Sequence, residues 1–167
     1  MSKVLENHAK LVKVIASTDG IIGRKKLQKI IFIMKKLGYR FEEKFTFHFY
    51  GPYSEELSLR MEELTNLGFI SEMKEQKSNY YQYRYEVTDR GRQFLEQAPT
   101  KLTVDDELTA LLKNQSSRFL ELVSTMLYFD HLDQEEVNKK VQEVKKKSNY
   151  TEADIDEAWA FIHQISQ

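Results

Sequence analysis

The chain has four histidines and no cysteine, so the first question is whether any side chain could bind a metal or attack a substrate. His8, His48, His131 and His163 lie far apart in the sequence, and no two have the helical spacing that lets imidazoles share a metal. Asp130 adjoins His131, but neighbouring side chains on a helix point apart. Glycine-rich phosphate loops and nucleophile elbows are missing. The sequence predicts no metal site, no cofactor and no catalytic residue, and favours a protein that is not an enzyme.

An aromatic stretch, HFYGPYSEEL at 48–57, is a stronger candidate for contact with another molecule. Gly51 and Pro52 predict a tight turn, because glycine reaches unusual dihedral angles and proline fixes φ. Ser54 has the chemistry of a helix N-cap. Gly51, Pro52 and Ser54 therefore predict a structural corner without a catalytic role. Tyr50 and Tyr53 are the residues of this stretch that could form an exposed aromatic pair for a partner.

A strongly basic segment precedes this stretch. Residues 24–36 contain six basic residues and no acidic one. At 100° per residue, lysines share the side of a helix opposite its apolar stripe, and Phe32 falls among them. Two interpretations are open: this side is exposed and Phe32 binds a partner, or another element covers it. The predicted partner-binding residues are Lys25, Lys29, Phe32, Lys36, Tyr50 and Tyr53.

The helix expected after the corner would enter the major groove in a DNA-binding protein. Its outward side, within residues 55–66, carries four carboxylates and one arginine, which opposes the approach of phosphates. DNA contact is therefore expected only through the basic second helix and a hairpin. The candidates are Arg24, Lys25, Lys26, Lys29, Lys74 and Lys77.

Several elements must position these residues. Apolar spacing predicts helices at 4–17, at 24–37 and from Ser54 through Leu67. Alternation predicts a strand at 44–50 and a hairpin formed by FISEMKE and YYQYRYEV, followed by a short helix in TDRGRQFLEQ. In that hairpin the tyrosines at 81, 83 and 85 are expected to face the core.

The C-terminal part is predicted to be entirely helical. Capping pairs are expected at Thr103 with Asp106, at Asp133 with Glu136 and at Thr151 with Asp154. The segment 118–129 is apolar on nearly every side, which predicts a buried central helix. Pro99 is a plausible joint, giving predicted domains at 1–98 and 99–167.

Composition sets further limits. A chain of 167 residues suits one domain or two small ones that share a core. The net charge of −1 hides an asymmetry, because residues 1–100 carry 17 basic and 13 acidic residues whereas 101–167 carry 8 and 13. The two parts could attract each other, or the first could face an anionic partner. No apolar run reaches the length of a signal peptide or a membrane span, so a soluble cytoplasmic protein is expected.

The order of elements predicts a mainly α protein with a small β-hairpin (α+β), a winged helix-turn-helix followed by a helical domain packed on it. LGFISE followed by YRYEVTDRGRQFL resembles winged-helix regulators of the PadR and MarR kind. KKLQKIIFIMKK followed by HFYGPYSEEL is similar to Panacea (SocA-like) domains. Over nearly the whole chain, including SSRFLELVSTMLYFDH, the sequence resembles the YwgA-like family of uncharacterised bacterial proteins.

The resemblance to Panacea domains implies an antitoxin-like role, and the YwgA-like family brings no catalytic residues to carry over. We expect a non-enzymatic regulatory or adaptor protein that acts through a protein partner, with an antitoxin-like neutraliser as one form. The alternative is a DNA-binding transcriptional regulator that uses the basic second helix and the hairpin. A homodimer is also open, and no membrane is expected as a partner.

Overall fold

A computed structural model describes residues 3–97 and 100–167, and within them eight α-helices accompany five short strands. In chain order these are α1 (Lys3–Thr18), β1 (Ile21–Ile22), α2 (Arg24–Lys36), β2 (Thr46–His48), β3 (Gly51–Tyr53), α3 (Glu55–Asn66), β4 (Ile70–Gln76), β5 (Tyr81–Val87), α4 (Asp89–Gln97), α5 (Asp106–Lys113), α6 (Ser117–Tyr128), α7 (Gln134–Val144), a 3₁₀ turn (Lys146–Ser148) and α8 (Glu152–Ile165). The predicted class, mainly α with small β-hairpins, is confirmed. The predicted joint at Pro99 lies outside the described residues. The winged-helix likeness stays a prediction.

The strands form two separate antiparallel sheets. In the larger sheet the order is β1-β5-β4, so the short β1 pairs with one edge of the predicted hairpin. The hydrogen bond from Gly23 N to Tyr83 O (2.7 Å) fixes the start of α2 beside β5. The smaller sheet contains only β2 and β3.

The smaller sheet differs from the prediction at its turn. Gly51 and Pro52 do not form the turn but lie within β3, where Gly51 opposes His48 and Pro52 opposes Phe47. The connection is instead the two residues 49–50, and the predicted strand at 44–50 is limited to Thr46–His48. We call β2, β3 and this connection the corner hairpin.

Backbone chemistry explains why Gly-Pro fits a strand here. A two-stranded sheet has only edge strands, so the N–H that Pro52 lacks is not needed by a third strand. Gly51 has φ 91°, and a Cβ atom there would lie 3.3 Å from Thr125 Oγ1 on α6. A glycine therefore lets β3 approach α6 closely.

One hydrophobic core extends through both parts of the chain. α2 contributes its centre, with Ile30, Ile31 and Met34 fully buried, and packs on α6. The predicted buried helix at 118–129 is confirmed as α6, whose Leu120 and Val123 are also fully buried. The C-terminal helices thus complete the core that the first three helices begin.

Helix caps show where local signals were sufficient. Thr151 and Asp154 form the predicted reciprocal capping box, and Asp133 accepts from the backbone N–H of its predicted partner. The pair predicted at Thr103 is wrong, because Asp105 is the N-cap of α5. None of the described helices has the length and apolarity to cross a membrane.

Candidate partner-binding cleft

A cleft with a volume of about 860 Å³ lies where the first turns of α2 meet α3, the corner hairpin and the larger sheet. Its lining combines aromatic, apolar and charged side chains, which include His48, Phe49, Tyr50, Tyr53, Leu57, Met61, Arg24, Lys25, Glu62 and Glu72. The apolar members from α3 are buried at its floor, whereas the aromatic residues 48–50 are exposed at its opening.

A buried hydrogen-bond network joins α2 to the start of α3. The predicted N-cap is confirmed, since Ser54 Oγ accepts from Leu57 N (3.1 Å). The side-chain amide of Gln28 accepts from Ser54 N and donates to Ser54 O (both 2.9 Å), so it bonds both backbone groups of that residue. It also donates to Ser58 Oγ, which lies 2.9 Å from the hydroxyl of Tyr53. This network fixes one wall of the cleft.

Two buried lysines hold the backbone of the corner hairpin. Lys29 Nζ donates to Pro52 O (2.9 Å), and Lys145 Nζ donates to Phe49 O (2.8 Å). These lysines are only 3% and 5% exposed. Burial lowers the pKa of Lys29 to about 8, although the nearby Glu121 carboxylate opposes the shift. The hairpin is therefore held both by α2 and by the residue that directly follows α7.

The prediction that Phe32 and Lys29 are exposed on α2 is wrong. Phe32 is 5% exposed, and its ring centroid lies 6.1 Å from that of Tyr128 on α6. Lys29 points into the joint described above, and Lys36 forms an ion pair with Asp130 (2.9 Å) just after α6. The second interpretation, in which the C-terminal helices cover this side, is the one that the structure shows. Some of the basic residues of the first part are thus paired with acidic residues of the second part within the same molecule.

What remains exposed lies at the opening of the cleft. Lys25 and Tyr50 are exposed and in contact, with the ammonium 3.2 Å from the ring centroid. Tyr53 is half-buried against the His48 ring, at 5.0 Å between centroids. Phe49 is 76% exposed and was missed, because the predicted strand continued through it. Phe49 could have been identified from the sequence if residues 49–50 had been interpreted as the two-residue connection of a hairpin.

Arg24 is fixed by the larger sheet. Its guanidinium donates to Glu72 (3.0 Å) and to the Tyr85 hydroxyl (3.2 Å), and it lies 3.9 Å from the ring centroid of Tyr83. The Tyr85 hydroxyl donates in turn to Glu72 (2.6 Å). The hydrogen bond to Glu72 raises the pKa of Arg24, and burial raises the pKa of Tyr85. The charge of Arg24 is therefore already compensated.

The other nucleic-acid candidates on α2 and the β4–β5 hairpin also make contacts within the chain. Lys26 is half-buried, and burial together with the charge of Lys113 lowers its pKa. Lys74 lies 4.1 Å from the ring centroid of Tyr81 on the β4–β5 hairpin. Lys77 is 3.6 Å from a glutamate carboxylate of the same hairpin.

The outward side of α3 is also engaged with its own chain. Arg60 pairs with Glu43, a carboxylate that is 1% exposed. Glu56 accepts a hydrogen bond from Lys44 N (2.8 Å). Arg60, the one arginine on this side of α3, therefore points inward to the buried carboxylate of Glu43.

The four histidines lie in different places. His8 is 3% exposed and its Nε2 is 3.4 Å from Glu63 of α3, whereas His48 stacks in the corner hairpin. His131 and His163 lie exposed near the ends of α6 and α8. Within residues 3–97 and 100–167, no three His, Asp or Glu side chains are grouped as metal ligands.

Comparison with known proteins adds one close relative. The chain is 51% identical over 164 residues to the uncharacterized protein YwgA of Bacillus subtilis (strain 168). The alignment covers 98% of this chain and 99% of that protein. No protein-family model matches. The similarity thus includes the C-terminal helices as well as the elements that form the cleft.

Proposed function

Because the chain belongs to the family of the uncharacterised protein YwgA, whose name carries no activity, we propose a function from the cleft itself. The protein is a regulatory or adaptor protein, not an enzyme, and it binds a protein partner at the opening of the cleft. An antitoxin-like neutraliser is one concrete form of such a protein, which rests on the resemblance of its first half to Panacea domains.

The observation that carries this proposal is the pair of exposed aromatic rings at residues 49 and 50. Phe49 is 76% exposed and Tyr50 is 50% exposed, and their centroids lie 5.1 Å apart. Single exposed apolar residues are ordinary, but adjacent aromatic rings beside a concave apolar surface are typical of interfaces. Burying these rings against a partner would remove apolar area from water.

Preorganisation supports the same proposal. The backbone carbonyls of Phe49 and Pro52 accept from buried ammonium groups, so the connection between β2 and β3 is already ordered in the free protein. A rigid aromatic contact loses little conformational entropy on binding, which increases affinity. The cleft volume of about 860 Å³ lies within the range of about 300–1,000 Å³ that accommodates a ligand or a few partner side chains.

Photo-crosslinking in the native host tests the proposal. p-Benzoylphenylalanine replaces Phe49 in one variant and Tyr80 in a matched control, since Tyr80 is 57% exposed on the β4–β5 hairpin, away from the cleft lining. We expect one protein to be crosslinked from position 49 and not from position 80. Crosslinking of a protein only from position 80 would contradict the proposal. Crosslinked DNA would favour the alternative, a DNA-binding regulator, and an adduct between two copies would replace the adaptor by a homodimer.

A further inference from the structure

The cleft has a pattern of charge that indicates the kind of partner it accepts. We propose that it binds an acidic segment of the partner that also carries an aromatic or aliphatic side chain. This inference rests on the proposed function and deepens it. The apolar side chain would enter between Tyr50 and the floor of the cleft, and the carboxylates would lie along the wall formed by α2.

The first argument is the uncompensated positive charge of that wall. The first turn of α2 contains Arg24, Lys25 and Lys26 and no acidic residue. Arg24 is compensated by Glu72, whereas Lys25, which lines the cleft, has no carboxylate within ion-pair distance among the described residues. An anionic group that approaches Lys25 from the cleft would compensate its charge.

The second argument is the position of Lys25 over an aromatic ring. Its ammonium lies 3.2 Å from the centroid of Tyr50, so charge and apolar area occur at one point of the opening. A partner segment that presents a carboxylate beside a ring or an aliphatic side chain matches both features at once. A purely apolar segment would leave the ammonium to be desolvated without an anion, which is costly.

The third argument concerns the floor and the opposite wall. Leu57 and Met61 are buried at the floor, and methionine adapts its shape to different apolar side chains. Glu62 on α3 puts a negative charge on the wall facing α2. The acidic residues of the partner must therefore lie toward α2, which gives the segment a defined orientation across the cleft.

Synthetic polypeptides provide the probe. Immobilised random poly(Glu,Tyr) is compared with poly-Glu, poly(Lys,Tyr) and a random-sequence DNA duplex, at about 150 mM salt so that diffuse electrostatics are screened. We expect the wild-type protein to bind poly(Glu,Tyr) at least about tenfold more tightly than either other polypeptide. Lys25→Glu and Tyr50→Ala should each weaken this binding about fivefold to tenfold, because both residues are exposed and their replacement leaves the core intact. Lys139→Glu, at an exposed position of α7, is the matched control and should leave it unchanged.

Three outcomes would overturn the inference. Equal affinity for poly(Glu,Tyr) and poly-Glu would indicate diffuse electrostatic attraction. A loss of binding in Lys139→Glu as large as that in Lys25→Glu would indicate the same. Tighter binding of the duplex that is lost in Lys25→Glu would assign the basic wall to nucleic acid. Failure to bind any polypeptide would exclude an acidic segment, and crosslinking from position 49 would then show separately whether a protein of other chemistry occupies the cleft.

Discussion

Lys29→Met should remove a pH dependence of stability that the wild type has because an ammonium group is buried. Lys29 is 3% exposed, and burial lowers its pKa from 10.5 to about 8. In the unfolded chain the amine is in water and recovers its ordinary pKa. The folded chain therefore binds this proton less tightly than the unfolded chain. The charged lysine destabilises the fold below about pH 8, and stability rises as the pH increases from about 8 toward 10.5.

The size of the effect follows from the two pKa values. One unit of difference corresponds to about 1.4 kcal/mol, so the protonated lysine costs about 3 kcal/mol at pH 7 and about 1 kcal/mol at pH 10. From pH 7 to pH 10 the free energy of unfolding of the wild type should rise by about 2 kcal/mol relative to Lys29→Met. Methionine is similar in volume and carries no charge, so the variant keeps the packing of the joint.

Urea unfolding followed by circular dichroism at pH 7, 8, 9 and 10 measures this difference. Other groups titrate in the same range, but those that do not interact with Lys29 contribute equally to both proteins and cancel in the comparison. Lys139→Met removes an exposed ammonium on α7 and should follow the wild type across the whole series. Parallel curves for the wild type and Lys29→Met would refute the reasoning, because they would show that Lys29 stays hydrated or that its charge is fully compensated.

Two further predictions concern a buried ion pair and the packing of α4. Arg60→Leu should lower the free energy of unfolding by about 3 kcal/mol, because it leaves the carboxylate of Glu43, only 1% exposed, without its partner. Arg92→Leu, whose carboxylate partner is almost fully exposed, should cost less than about 1 kcal/mol in the same urea titration, and equal losses would contradict this account. Gly91→Ala should cost about 2 kcal/mol or more, because its Cβ would lie 2.2 Å from Phe69 O and α4 would have to move. A variant with wild-type stability would show that α4 does not approach the backbone so closely.

The helices and the β4–β5 hairpin could be predicted from the sequence because their signals are local. Apolar spacing gave α1, α2 and α3 to within a residue or two, and Ser54 and Thr151 had the side chains that cap helices. Local signals failed at two positions. Asp105 is the N-cap of α5 in place of Thr103, and glycine with proline lies in a strand, where Gly51 has φ 91° and packs closely against Thr125 of α6.

The candidate site could be predicted only in part, because its exposure depends on contacts between distant segments. Three residues of the predicted partner surface line the cleft: Lys25, Tyr50 and Tyr53. Phe32 and Lys29 have the same periodicity as exposed residues, but α6 and the end of α7, about 90 or more positions later in the chain, cover them. Periodicity shows that residues share a side of a helix and does not show what packs there. The signs of that cover in the sequence were the excess of acidic residues after position 100 and the position of Phe32 among lysines.

The most direct test of the proposed docking site uses the partner protein that is crosslinked from position 49. Titration calorimetry measures the affinity of this partner for the wild type and for Phe49→Ala. Phe49 is 76% exposed, so the substitution should leave the thermal unfolding temperature unchanged. We predict binding that is about tenfold weaker or more, as expected when an aromatic contact at the centre of an interface is removed, while Tyr80→Ala binds like the wild type. Unchanged affinity for Phe49→Ala together with a loss for Tyr80→Ala would contradict the account and place the partner on the β4–β5 hairpin.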